Sequence, residues 1–131
     1  MTKVFVYGTL KKDFHNNCIL DNDEYVGIAY SKRKLVLVEQ GGLPFVLDPN
    51  QFPIGDKDLC CHIFGELYNI TDANTLYHLD RLENHPDWYE RRETEFIDKK
   101  GVTHKAWCYF LNDELTGKCH VNISGDYQRS I

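Results

Sequence analysis

Glu83 falls on the wrong side of a segment with helical period. Ala73, Leu76, Leu79 and Leu82 recur every third position, an apolar stripe that has to face the core. Glu83 follows Leu76 by seven positions, and at ~100° per residue it projects only about 20° away from it. An inward carboxylate in a last helical turn is penalised when ionised, by desolvation and by the negative end of the helix dipole. Both effects raise its pKa from the reference of about 4.3 and poise it to accept a proton near neutrality. The competing reading turns Glu83 back to solvent or pairs it with Arg91, Arg92 or His85.

A second place for chemistry is Val4-Phe5-Val6-Tyr7-Gly8-Thr9-Leu10-Lys11, an apolar strand that breaks at Gly8. Glycine tolerates a positive φ, so the chain can turn sharply there and free the amides of Gly8, Thr9 and Leu10 from the ladder. Aimed into one concavity, three such amides make a nest for an anion or a developing oxyanion. The same residues also suit an ordinary strand-to-loop turn capped by the Thr9 hydroxyl. Neither the G-x-x-x-x-G-K-[ST] nor the G-x-G-x-x-G phosphate loop occurs, and no G-x-S-x-G elbow surrounds Thr9.

The elements that must position these groups can be read from periodicity and turn residues. Residues 3–7, 26–30, 34–38, 44–47, 62–70, 89–97 and 104–110 read as strands, the first buried on both faces. Gly41-Gly42 and Lys99-Lys100-Gly101 mark turns, Gly65 a bulge or close backbone approach, and Asp48 to Asp58 a surface loop. A helix is expected from Thr71, as its cap, to about Glu83, with Asp72 in its first turn and Pro86 ending it. A short helical stretch is expected through Phe14 to Leu20. Strands outnumber helices and hairpin-length connections abound, which predicts one α+β domain, residues 1–131, around a curled sheet. Whether that sheet closes is left open by the pattern.

Composition narrows the function classes. A net charge of -5 over 131 residues argues against nucleic acid, whose binding needs clustered Lys and Arg; Lys32, Arg33 and Lys34 form the densest run and read as a solvated loop. No apolar run approaches the ~20 residues that span a bilayer. Five irregularly spaced cysteines and the lack of a signal peptide before the first strand fit a reducing cytoplasm. Cys60, Cys61 and His62, or Cys119 and His120, lack zinc-ligand spacing, so no metal is expected.

Taken together the motifs resemble the gamma-glutamylcyclotransferase-like family, most closely its gamma-glutamylamine cyclotransferase branch. The resemblance rests on residues 4–11, Asn16, Leu20, Gly42-Leu43-Pro44, Gly65-Glu66-Leu67-Tyr68, Leu79-Asp80-x-Leu82-Glu83-x-x-Pro86-x-x-Tyr89-x-Arg91 and Gly125-Asp126-Tyr127. It implies a small curled mixed β-barrel flanked by helices, with the pocket at the barrel mouth. It also implies substrate binding by main-chain amides at Tyr7, Gly8, Thr9 and Leu10, with Glu83 as the acid/base. Tyr7, Tyr89 and Tyr127 are candidates to line the pocket, although a tyrosine beside a strand also serves as core. The implied reaction needs no cofactor: the α-amine of a gamma-glutamyl amine or amino acid attacks its own γ-carbonyl and releases 5-oxoproline and a free amine. Asp13 stands where this branch usually has glycine and would disfavour a negatively charged leaving group. A reading from another class is a non-catalytic module that holds a small carboxylate metabolite in the same pocket. The oligomeric state and the natural leaving group are not written in these motifs.

Overall fold

The computed structural model describes residues 2–8, 10–11, 14–41, 43–51, 59–83, 85, 88–112 and 120–127. Thr9, Asp13, Gly42, Pro86 and most of the loop expected after Asp48 lie outside them. Five strands close a barrel in the order β1 (Lys3–Val6), β5 (Phe64–Asn69), β2 (Glu24–Ser31), β6 (Tyr89–Asp98), β7 (Thr103–Leu111). The closing contact, Val4 opposite Trp107, is parallel, whereas the other pairings are antiparallel. A second sheet runs β4 (Leu43–Leu47), β3 (Val36–Gln40), β8 (His120–Val121). The architecture is thus α+β and the sheet closes.

The double burial expected of β1 has a structural cause. Phe5 and Tyr7 point into one apolar cluster with Leu67, Phe96, Cys108 and Phe110, while Val4 and Val6 join another with Leu79, Tyr89, Tyr109 and Leu111. Successive strand residues face opposite sides, so a strand between two cores reads as an uninterrupted apolar run. In the first cluster the Phe5 and Phe96 rings stack at 4.0 Å. Gly65 allows the close approach expected of it, since a Cβ there would run into the Val6 carbonyl and the Phe5 ring.

Two expectations are corrected. The helix α1 spans Thr75–Leu82 and does not start at Thr71. Its entry is held from outside: Asp23, just before β2, accepts from the Thr71 amide (2.8 Å), the Asp72 amide (3.1 Å) and the Thr75 hydroxyl (2.6 Å). A carboxylate from a remote segment does what a local cap would do. Consequently Ala73 precedes the helix and is exposed, and of the apolar stripe only Leu79 is fully buried. The short helical stretch expected through Phe14 to Leu20 is present as a 3-10 helix, His15–Leu20. Asp48 is buried where surface loop was expected, because it accepts from Arg33 (3.0 Å), Arg92 (3.2 Å) and the Asn50 amide (2.9 Å). Among the described residues no helix is long and apolar enough to cross a membrane.

Candidate active site

The end of β1, the turn after it, the first residues of β4, the end of α1 and the start of β6 converge on one cavity of about 270 Å³. Tyr7, Gly8, Leu10, Glu83 and Tyr89 all line it, together with Asn16, Pro44, Phe45, Leu82, Trp88 and Tyr109. Five of the seven residues singled out in the sequence therefore meet at one place. Thr9 is outside the described residues, and Tyr127 is buried in the core against Phe14, ring centroids 5.6 Å apart, and is not among the residues lining the cavity.

Glu83 ends α1 with its amide still donating to the Leu79 carbonyl at 2.9 Å. Burial raises its carboxyl pKa to about 7. The partners that could have paired with it are engaged elsewhere. Arg91 grips Asp80 through Nε and Nη2 at 2.9 and 3.2 Å, Arg92 pairs with Glu90 (2.9 Å) and Asp48 (3.2 Å), and His85 Nδ1 accepts the Arg91 amide at 3.1 Å. Among the described residues no donor or cation reaches the Glu83 carboxylate.

Tyr7, Tyr89 and Tyr109 line the same cavity as that carboxylate. Burial, and then the Glu83 charge, push the Tyr89 hydroxyl pKa up, and burial pushes the Tyr7 hydroxyl well above its usual value, with Tyr89, Cys108 and Glu83 adding to it. Both stay protonated donors at neutral pH. Tyr7 donates to the Tyr109 carbonyl at 2.8 Å. Phe45 stacks on Tyr89 (5.9 Å, 11°), and Trp88 packs against both at 6.0 and 5.6 Å.

The corner after β1 is a closed turn in which the Lys11 amide donates to the Gly8 carbonyl at 3.0 Å. Asn17 Nδ2 donates to the Leu10 carbonyl at 2.7 Å and to the Tyr68 hydroxyl at 3.0 Å. Both carbonyls are thus occupied, whereas no described group accepts from the Gly8 or Leu10 amide. The reason for glycine differs from the one expected. Gly8 is not among the glycines of positive φ, and a Cβ on it would lie 2.7 Å from Pro44 Cγ. Close packing against β4, and not a left-handed turn, excludes a side chain.

Sequence reasoning gave no role to Lys11, Asp80 or Tyr109. Lys11 is buried, with Nζ donating to Asp126 (3.1 Å) and to the Tyr127 carbonyl (2.8 Å), so it ties the corner to the C-terminal segment. Tyr109 donates its hydroxyl to Asp80 at 2.6 Å. The signal was partly visible: Lys11, Asp80 and Arg91 stand inside the motifs quoted above, and the core position of Tyr109 follows from strand alternation.

Comparison with known proteins gives the family and the fold. Residues 4–129 match the family described as Gamma-glutamyl cyclotransferase, AIG2-like. The chain is 34% identical over 130 residues to a Methanocaldococcus jannaschii protein provisionally named a gamma-glutamylcyclotransferase, covering 98% of this chain and 97% of that one. It is also 34% identical over 105 residues to Gamma-glutamylaminecyclotransferase C of Danio rerio, covering 75% of this chain and 64% of that one. The crystal structure of an AIG2-like protein from Mus musculus shares the fold, with a TM-score of 0.69 at 24% identity over 86% of this chain and 78% of that one.

Proposed function

We propose, on the premise that this chain belongs to the gamma-glutamyl cyclotransferase, AIG2-like family, that it cyclises a gamma-glutamyl amine or gamma-glutamyl amino acid to 5-oxoproline with release of the free amine. The observation that carries this reading is Glu83: a carboxyl with no partner among the described residues, raised to about 7, in the same cavity as the Tyr7–Leu10 corner.

The α-amine of the substrate is an ammonium at neutral pH and cannot attack until a proton is removed. Glu83 takes that proton, the amine nitrogen adds to the γ-carbonyl carbon, and the carbonyl oxygen becomes an oxyanion. Collapse of the tetrahedral centre breaks the bond to the departing nitrogen, which receives a proton from the same carboxyl. The ring nitrogen gives up two protons in all and the departing amine gains two, so no external acid or base is consumed. A base of pKa near the working pH suits both transfers.

Positioned acid/base catalysis supplies ~10²- to 10⁴-fold, about 3 to 5 kcal/mol at ~1.4 kcal/mol per tenfold. The remainder comes from holding the glutamyl chain in a ring-closing geometry and from donors that meet charge on oxygen. The Gly8 and Leu10 amides, whose own carbonyls are engaged while the N–H groups are not, support the second role.

The test is incubation with gamma-glutamyl amines and gamma-glutamyl amino acids and quantitation of 5-oxoproline, for the parent and for Glu83→Gln. Release of 5-oxoproline that falls at least about a hundredfold in the folded variant supports the reading. Binding of the compounds without turnover replaces it with a carboxylate-binding module, and near-parent activity of Glu83→Gln removes Glu83 from the chemistry.

A further inference from the structure

The residues lining the cavity divide into buried groups and apolar, solvent-facing ones. Of its described lining residues only Leu43, Leu82 and Trp88 are exposed, at 48%, 43% and 46%. They come from three separate elements, the start of β4, the last turn of α1 and the residue before β6. Tyr7, Tyr89 and Tyr109 are each at most 8% exposed. Glu83 is the one charged residue among the described lining.

From this division we infer that the substrates are gamma-glutamyl conjugates of uncharged, apolar amines, with the alkyl or aryl group of the amine lying against Leu43, Leu82 and Trp88. The inference rests on the cyclisation reading. In that reaction the glutamyl half carries an ammonium and a carboxylate, and it must reach Glu83. With the glutamyl half held at the buried carboxyl, the substituent of the departing amine extends toward the exposed side chains. An apolar group there removes water from three large apolar side chains, a gain proportional to the area covered. A leaving amine bearing its own carboxylate or second ammonium would be partly desolvated beside those side chains with no opposite charge among the described lining residues. One or two extra methylenes in such a subsite discriminate substrates by about tenfold or somewhat more.

The test compares kcat/KM for gamma-glutamyl-methylamine, gamma-glutamyl-hexylamine, gamma-glutamyl-benzylamine, gamma-glutamylglycine and the conjugate of the lysine side-chain amine. Expected is a preference of at least about tenfold for the hexyl and benzyl compounds over the methyl and the two charged ones, expressed mainly in KM because contact with a non-reacting group is uniform binding. In Leu82→Asn and Leu43→Asn the hexyl-to-methyl ratio should drop at least about threefold, with melting temperature followed to show that both exposed-site variants fold. Equal kcat/KM across the panel, a preference for a charged amine, or a ratio unchanged in both variants overturns the inference while 5-oxoproline release leaves the cyclisation reading standing. If none of the five compounds yields 5-oxoproline, the reading and the inference fall together.

Discussion

The Tyr109 hydroxyl donates to the Asp80 carboxylate at 2.6 Å while the Tyr109 carbonyl accepts the Tyr7 hydroxyl at 2.8 Å. A single residue of β7 thereby joins the two halves of the cavity, one bond ending three residues before Glu83 and the other one residue before Gly8. Asp80 is held a second time by Arg91, whose guanidinium lies over the Trp107 ring at 4.5 Å. The end of α1 is therefore fixed to the barrel wall by side chains.

Tyr109→Phe keeps the ring in the cavity and the carbonyl for Tyr7 and deletes only the hydroxyl. The expected loss of stability is about 1 kcal/mol, the net value of one hydrogen bond, because Asp80 keeps Arg91. Turnover should fall about tenfold with KM changed less than about twofold, since small displacements of a positioned base are costly. Steady-state kinetics beside urea denaturation separates the two effects, and an unchanged kcat would show that Glu83 does not depend on this bond.

Glu83 also makes a statement about stability. Its folded pKa of about 7 lies above the unfolded value of 4.5, so the folded state holds a proton that the unfolded chain releases between those values. The contribution is fully present below pH 4.5 and is lost as pH rises through 7. At ~1.4 kcal/mol per unit the loss amounts to about 3 kcal/mol. Glu83→Gln should flatten the parent's decline by that amount between pH 5 and 8, measured by denaturant titration at each pH. The same pKa places the acidic limb of kcat/KM near 7 in the parent, because only the ionised carboxylate can take the ammonium proton. Parallel stability curves for the two proteins would mean that Glu83 is solvated.

The strands and the inward glutamate were legible because they depend on local period. Val4 to Tyr7 sits between two clusters, and its unbroken apolar run says so directly. Glu83 kept its direction although the helix begins at Thr75, because phase is counted from Leu76 and Leu79 and is indifferent to where the helix starts. What could not be read were partners distant in sequence. Asp23 in place of a Thr71 cap and Pro44 against Gly8 are long-range encounters, and β8 is only two residues long, too short for any period. The substrate-binding role expected of Tyr127 gains no support from its position, whereas its carbonyl anchors Lys11.

That anchor leads to a separate expectation. Lys11 closes the corner through its amide and holds the C-terminal segment through Nζ, which also lies 5.5 Å from the Phe14 ring. Lys11→Met retains the amide and most of the stem but leaves the Tyr127 carbonyl without this donor. Binding of 5-oxoproline, followed by titration calorimetry, should weaken at least about fivefold, roughly 1 kcal/mol, consistent with one lost hydrogen bond that loosens the corner. The acidic limb assigned to Glu83 should not move. Unaltered affinity would show that the corner keeps its shape without the tether.

Gly8 and Pro44 offer the sharpest test of why the corner carries glycine. If a left-handed φ were the reason, Gly8→Ala would be strained regardless of its neighbours. The backbone at Gly8 is not left-handed, and what a methyl meets is the Pro44 ring at 2.7 Å, a separation at which something must shift. The expected outcome is that Gly8→Ala loses 1 to 3 kcal/mol, roughly the cost of overpacking, and that turnover falls with it as β4 or the corner moves. Pro44→Ala removes the offending ring atom, so the double variant Gly8→Ala/Pro44→Ala should recover part of the loss. In a double-mutant cycle the two changes would then show a coupling of ~1 kcal/mol or more, as expected for residues in contact. Stabilities from denaturant unfolding and rates of 5-oxoproline release give the cycle twice over. Additive effects of the two substitutions would mean that the requirement for glycine lies in the backbone after all.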